Sequence, residues 1–324
     1  MKLVVIIVIA LCFFSSGGQA KAQSTNIKGE NWDIRLSGKS FYDDNVILSP
    51  RNSANKPASL LSDESSLAFD FSGMGRYKFK VSDALSFAAD YSLNHTAYTS
   101  LDQYDMQTHT FGGGATYVIP DTGNKIWRAN LRYFYMYNII DNDGYNGIHY
   151  ISPSMMFMIN RKFGLTRINY TFTNEDNKQN TLRDTDSHSI GIDHFYFIFG
   201  DLQKRIRVGY AYTDDNASGA INDLKSHTFK IGLKTPLVSE IFLNAEYRYG
   251  NENYDTRAVL IGTGIRDDDK HNFMVDFSKV LLKKVGLLDK LTGFIKYQHT
   301  ANDSTDKLHE YDKNVFSLIF EGKF

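Results

Sequence analysis

From Trp32 to the end of the chain, hydrophobic side chains recur at every second position. Trp32, Ile34 and Leu36 alternate with Asp33, Arg35 and Ser37, and Leu67, Phe69 and Phe71 alternate with Ala68, Asp70 and Ser72. The stripe returns at Leu85, Phe87, Ala89, Tyr91, Leu93, at Phe111, Ala115, Tyr117, and at Trp127, Ala129, Leu131, Tyr133, Tyr135. Later examples include Ile190 and Ile192, Phe229 with Ile231 and Leu233, Phe273 with Val275 and Phe277, and Phe316 with Leu318 and Phe320. Period two belongs to a strand with one apolar and one polar face. The pattern predicts about fourteen strands of roughly 10–14 residues. One segment, near 147–159, shows no clear face because Met155, Met156, Phe157 and Met158 fill both parities.

The connections carry a second regularity. The gaps at 43–63, 97–106, 139–146, 174–184, 213–223, 250–267 and 300–311 are long and rich in Asn, Asp, Ser and Thr. Those near 81–84, 120–125, 160–164, 200–204 and 235–239 are short, and 280–289 is intermediate. Alternating long and short connections with an apolar-out, polar-in repeat define a transmembrane barrel, in which short turns lie on the periplasmic side. Closure follows from the solvent, since lipid satisfies no open strand edge. The expected fold is therefore all-β: a transmembrane antiparallel up-and-down barrel.

The N-terminus fits export. Lys2 precedes an apolar run from Val4 to Phe14, and Ala20-Lys21-Ala22 is a small-x-small cleavage signature. Residues 1–22 read as a secretory signal peptide, and residues 23–324 as the barrel. The run is too short to cross ~30 Å of hydrocarbon as a helix. The single cysteine, Cys12, lies in this leader, so a disulfide framework, a cysteine zinc site and a cysteine nucleophile are not expected beyond it. Lysine and arginine number 36 against 37 acidic residues, which speaks against a nucleic-acid binder. No metal or cofactor is expected.

Residues opposite in phase to the apolar stripes are the candidate pore lining: Arg35, Asp90, Arg128, Arg132, Arg167, Asp193, Arg205, Arg207, Lys230, Glu246, Arg248, Asp276 and Lys296. Asp33 and Asp70 share this phase, and with them basic groups are only slightly ahead of acidic ones, which suggests a weak preference for anions. About fourteen strands fall between small filled barrels and the 16–18-stranded porins that hold an aqueous channel. The long gaps at 43–63 and 250–267 are the candidates for a plug.

Two motifs recur beside the loops. Tyr170, Tyr210, Tyr247 and Tyr297 each precede a second ring by two residues, and Asp-x-x-x-His occurs at Asp105/His109, Asp184/His188, Asp223/His227 and Asp267/His271. Four residues of strand span ~13 Å, too far for such an Asp and His to touch. These tyrosines and histidines are instead expected in an outward interfacial belt, meeting outer-membrane lipid and lipopolysaccharide.

Signals for an enzyme are weak. His188 and Ser189 are neighbours and so point to opposite faces of a strand. Asp141-Asn142-Asp143-Gly144 lacks the distal Glu of a calcium loop.

The terminal strand ending in Phe324 resembles the C-terminal signature of bacterial outer-membrane barrels, which implies recognition by the barrel-assembly machinery. Phe41-Tyr42-Asp43-Asp44-Asn45-Val46, with Arg183-Asp184 and Arg266-Asp267 before falling strands, is similar to the barrel portion of surface-lipoprotein-assembly and polysaccharide-export outer-membrane proteins. By size and strand count the chain equally resembles monomeric fourteen-strand porins. These resemblances imply the outer membrane of a Gram-negative bacterium. The leading expectation is a porin-like channel for small polar or anionic solutes. The alternatives are an assembly, export or structural barrel without its own conduction, and a lipid-acting barrel enzyme.

Overall fold

The computed structural model describes residues 31–324 apart from 52–64, 120–125, 142, 159, 161, 220–221, 239 and 259–263. The leader at 1–22 and most of the 43–63 gap lie outside the described residues.

Alternation becomes fourteen antiparallel strands in chain order: β1 (Trp32–Asp43), β2 (Ser66–Lys80), β3 (Leu85–Tyr98), β4 (Met106–Val118), β5 (Ile126–Ile140), β6 (Asp143–Met158) and β7 (Leu165–Asn177). They continue as β8 (Thr185–Phe197), β9 (Arg205–Ala217), β10 (Leu224–Pro236), β11 (Ile241–Ala258), β12 (Ile265–Val285), β13 (Leu288–Ser304) and β14 (Tyr311–Lys323). Each strand pairs with its neighbour in sequence, and β1 pairs with β14 from Arg35↔Lys323 to Asp43↔Val315, so the sheet closes. Phe324 extends this seam, its N–H donating to the Ile34 carbonyl at 3.0 Å.

The apolar stripes face outward. Leu36, Phe71, Phe111, Leu131, Ile192, Val208, Ile231, Phe277, Ile295 and Leu318 are all exposed, whereas only five hydrophobic side chains among the described residues are buried. A belt of bare aliphatic and aromatic groups on this scale would aggregate in water, and it matches a hydrocarbon surround. No helix among the described residues is long and apolar enough to cross a membrane.

β6, the segment without a readable face, resolves through register. Met155 faces outward opposite Ile168, and Met156 lies opposite Arg128 and Arg167 on the inner face. Methionine is unbranched and adapts to either environment, which hides the parity.

Several polar gaps are not loops. Most of the expected gap at 139–146 is strand, with β5 running to Ile140 and β6 starting at Asp143, and 250–258 belongs to β11. Strands reach 21 residues in β12, longer than the pattern suggests. Above the apolar band the ladder is carried by side-chain hydrogen bonds between inward polar groups. Thr108 donates to Asn138 (2.7 Å), Asn138 to Asn146 (2.7 Å), and Asn146 to Glu175 (2.6 Å). Periodic hydrophobicity vanishes there while pairing continues, because water covers both faces.

The Phe41–Val46 motif is a clasp at the β1–β14 seam. Asp43 pairs with Lys313 at 2.7 Å, and Asp44 accepts from the Asn314 backbone and side chain at 2.6 and 2.7 Å. Buried Asn45 donates to the carbonyls of Ser49 and Asp312 and accepts the Ser49 N–H at 2.7 Å. Beyond it, Arg51 binds Asp303, Glu310 and Asp312. Its hydrogen bond to Asp312 raises the guanidinium pKa above its ordinary value, with burial opposing. Asn45→Ala strips three hydrogen bonds from a buried position. It should lower unfolding stability in detergent by about 2–3 kcal/mol, measured as a shift in denaturant midpoint.

Candidate lumenal site and outer belt

The inner face carries a ladder of charges in two clusters. On β3, Asp90 sits between Arg76 of β2 (3.4 Å) and Arg132 of β5 (3.3 Å). On β8, Asp193 receives Arg167 of β7 at 2.5 Å and Arg207 of β9 at 2.7 Å. Arg207 also reaches Glu246 of β11 at 3.0 Å, and Glu246 pairs in turn with Arg248. Two glycines make room for this ladder. Gly209 stands opposite Asp193, and Gly112 lies between Asp90 and Phe134, where a Cβ would come within 2.6 Å of the Asp90 carboxylate. Only glycine permits so close an approach.

A concavity of about 430 Å³ opens on the middle of this wall. Arg132, Arg167, Asp193, Arg207 and Lys230 line it together with Phe134, Tyr150, Ser152, Ser154, Asn169, Thr171 and Ser189. Asp193 is 4% exposed, whereas the side chains of Arg132 and Arg167 keep 41% and 36% of their surface, so the arginines present charge to open space. Shared carboxylates anchor their positions.

The structure brings together some candidate lining residues and separates others. Asp90, Arg132, Arg167, Asp193, Arg207, Lys230, Glu246 and Arg248 share the wall from β3 to β11. Arg205 and Arg207 lie near the Phe195 ring, each 5.7 Å from its centre, toward the short-turn end. Arg128 lies opposite Met156 and Val118 at that end. Arg35 pairs with Asp33 at 3.0 Å near the β1–β14 seam. Asp276 accepts from Asn244 of β11 at 2.8 Å and faces Lys296 of β13 in register, beside the strand that carries Glu246 and Arg248.

The outer belt holds a geometry that sequence spacing did not reveal. Five tyrosine hydroxyls hydrogen-bond a histidine Nδ1 on the next strand: Tyr91 to His109 (2.9 Å), Tyr133 to His149 (2.8 Å), Tyr170 to His188 (2.7 Å), Tyr210 to His227 (2.8 Å) and Tyr247 to His271 (2.8 Å). In every case the tyrosine stands opposite the residue two beyond the histidine, as Tyr170 stands opposite Ile190. Tyr297 departs from the rule: it donates to Asn314 and packs on Phe316 at 4.7 Å. The Asp of the Asp-x-x-x-His motif works separately. Asp105, Asp184 and Asp223 each accept a backbone N–H from the end of the preceding strand at 2.7 Å, closing the hairpin.

Sequence spacing missed Tyr91 and His149 in the belt, because Leu93 follows Tyr91 and no Asp precedes His149 by four; Tyr133, with Tyr135 two residues on, fits the pattern and was legible. It also missed Arg76, Phe134 and Tyr150 in the lumen. Arg76 shares the parity of Asp70 and was legible; the two rings occupy inward positions where the alternation predicts polar groups.

His188→Ala would leave the Tyr170 hydroxyl without this partner. It should cost about 1 kcal/mol of stability and leave transport unaltered, since the ring faces away from the lumen; bilayer conductance of the variant checks this.

Ser189, the sequence neighbour of His188, faces inward and accepts from Thr213 at 3.0 Å, so the two side chains form no dyad. Among the described residues no group of three or more His, Cys, Asp or Glu could hold a metal ion.

Solved barrels of similar fold include OpdQ of Pseudomonas aeruginosa, with 12% identity, a TM-score of 0.44 and coverage of 91% of this chain and 97% of that one. An anion-selective porin from Comamonas acidovorans has 8% identity and a TM-score of 0.48 over 90% and 98% of the two chains. OprD of Pseudomonas aeruginosa has 10% identity and a TM-score of 0.45 over 91% and 93%. These are likenesses of fold. No curated protein matches the chain. The family model for the surface lipoprotein assembly modifier matches residues 32–324, the whole of the barrel. The chain belongs to the surface lipoprotein assembly modifier family.

Proposed function

We propose that this chain is an outer-membrane barrel of a Gram-negative bacterium that serves surface lipoprotein assembly as a wet conduit for polar cargo. The observation that carries the reading is the family match across the complete barrel, residues 32–324. The outward aliphatic stripes support a lipid location, with outer-membrane lipid and lipopolysaccharide as neighbours of the tyrosine–histidine belt. The C-terminal strand and Phe324, which complete the β1–β14 seam, are the segment offered to the barrel-assembly machinery. The charged inner face supports a hydrated interior, because partly exposed arginines need water.

The test is surface display. In a strain deleted for this gene, lipoproteins reachable by protease on intact cells should fall and accumulate inside, and this chain should restore them. Unchanged display in the deletion strain would contradict the reading.

A second reading, a channel for small polar or anionic solutes, is favoured by one observation: cations outnumber carboxylates on the lumenal wall. Steady conductance of the refolded barrel with unchanged lipoprotein display would select it. Unchanged display without conductance would leave a structural barrel.

A further inference from the structure

The wet-conduit reading leaves open which chemistry the lumen favours. Resting on that reading, we infer that the concavity between β5 and β10 binds a small hydroxylated carboxylate, a sugar acid in chemical class.

Charge is the first argument. Six cations, Arg76, Arg132, Arg167, Arg207, Lys230 and Arg248, share this wall with three carboxylates, Asp90, Asp193 and Glu246. Each carboxylate serves two arginines, so the ladder keeps an excess of three positive charges. Lys230 lines the concavity, and no acidic side chain lies within ion-pair distance of it among the described residues. Arg167, with 36% of its side-chain surface exposed, presents further guanidinium N–H beside its bond to Asp193. An incoming carboxylate would therefore gain donors without displacing one already held.

The neutral lining is the second argument. An inorganic anion needs only cations, yet much of the concavity is hydroxyl and ring. Ser152, Thr171 and Ser189 offer hydroxyls that both donate and accept. Phe134 and Tyr150 bring two ring faces, 5.8 Å apart at an interplanar angle of 54°, and the guanidinium of Arg132 lies 4.2 Å from the Phe134 centre. Aromatic surface suits the C–H face of a sugar ring, hydroxyls suit its hydroxyls, and guanidinium or ammonium suits a carboxylate. The volume, about 430 Å³, falls within the range of small-molecule sites.

The experiment is titration calorimetry on the full barrel in detergent, with D-galacturonate, D-galactose and acetate as probes. Galacturonate should bind at least about tenfold more tightly than galactose, which lacks the charge, and than acetate, which lacks the hydroxyls. Lys230→Gln should weaken galacturonate about tenfold, while Lys230→Arg retains it. Folding of each variant is read from heat-modifiable gel mobility; if Lys230→Gln does not fold, the ranking of the three probes on the natural barrel decides. Equal binding of galacturonate and acetate, or a folded barrel that binds no galacturonate, would overturn the inference. Bilayer recordings separate it from the reading beneath it: a barrel that conducts without binding loses the site and keeps the conduit, and one that binds without conducting keeps the site and loses the conduit.

Discussion

Ile231→Arg is expected to be the most damaging single substitution on the barrel, costing about 2–4 kcal/mol and blocking assembly into the membrane. Ile231 is 54% exposed on β10, between Val208 of β9 and Tyr247 of β11, at the centre of the outward stripe. In a water-soluble sheet a charge at a position this exposed would be tolerated. In hydrocarbon it has no partner and no water, and the strand cannot turn it inward without flipping every neighbour. Heat-modifiable mobility of the outer-membrane fraction reads the outcome: folded barrel should be nearly absent. The adjacent inward substitution Lys230→Gln serves as the contrast, with folded yield close to that of the natural chain. Equal, normal yields from both would remove the reason for placing lipid outside.

Asp193→Ala should change both stability and conduction. This carboxylate is buried, sits against the space left by Gly209, and joins Arg167 to Arg207. Breaking a buried pair by removing one partner leaves an uncompensated charge, at a cost of about 3–5 kcal/mol when both groups are enclosed. Here the arginines keep 36% and 22% of their side-chain surface, so water recovers part of that, and about 2 kcal/mol is expected. Arg207 retains Glu246 and holds that end of the ladder. Removing one of three shared carboxylates also raises the positive excess of the wall. Zero-current potentials in a salt gradient should therefore shift toward greater anion selectivity. A destabilised barrel with unchanged selectivity would mean that Asp193 is structural and does not shape the field of the lumen.

Alternation made the fold legible. Strands whose outward stripe reads cleanly appear with that stripe turned outward, as at Tyr91 on β3 and Phe229 and Ile231 on β10, which are exposed, because hydrocarbon selects side chains on one face only. Loop boundaries were legible only in part. The stretch at 139–146 reads as a loop since Asn138, Asn146 and Glu175 replace hydrophobic alternation with a hydrogen-bond ladder that has no periodic signature. The lumen was legible as a set of parities but not as a site. Which arginine meets which carboxylate depends on register across strands far apart in sequence: Arg207 and Glu246 are joined across β10, at Gly232, which lies opposite both. The tyrosine–histidine pairs were hidden for the same reason, since a diagonal across two strands has no fixed spacing along the chain.

The most direct measurement is a cysteine scan of β10 in liposomes. The chain's single cysteine is Cys12, so on a Cys12→Ser background single cysteines introduced from 228 to 234 can be read one at a time. With a water-soluble, membrane-impermeant maleimide, positions 228, 230, 232 and 234 should label, positions 229, 231 and 233 should resist, and a lipid-soluble reagent should reverse the order. Labelling without period two, or with the odd positions open to water, would contradict a barrel that meets lipid on one face and water on the other.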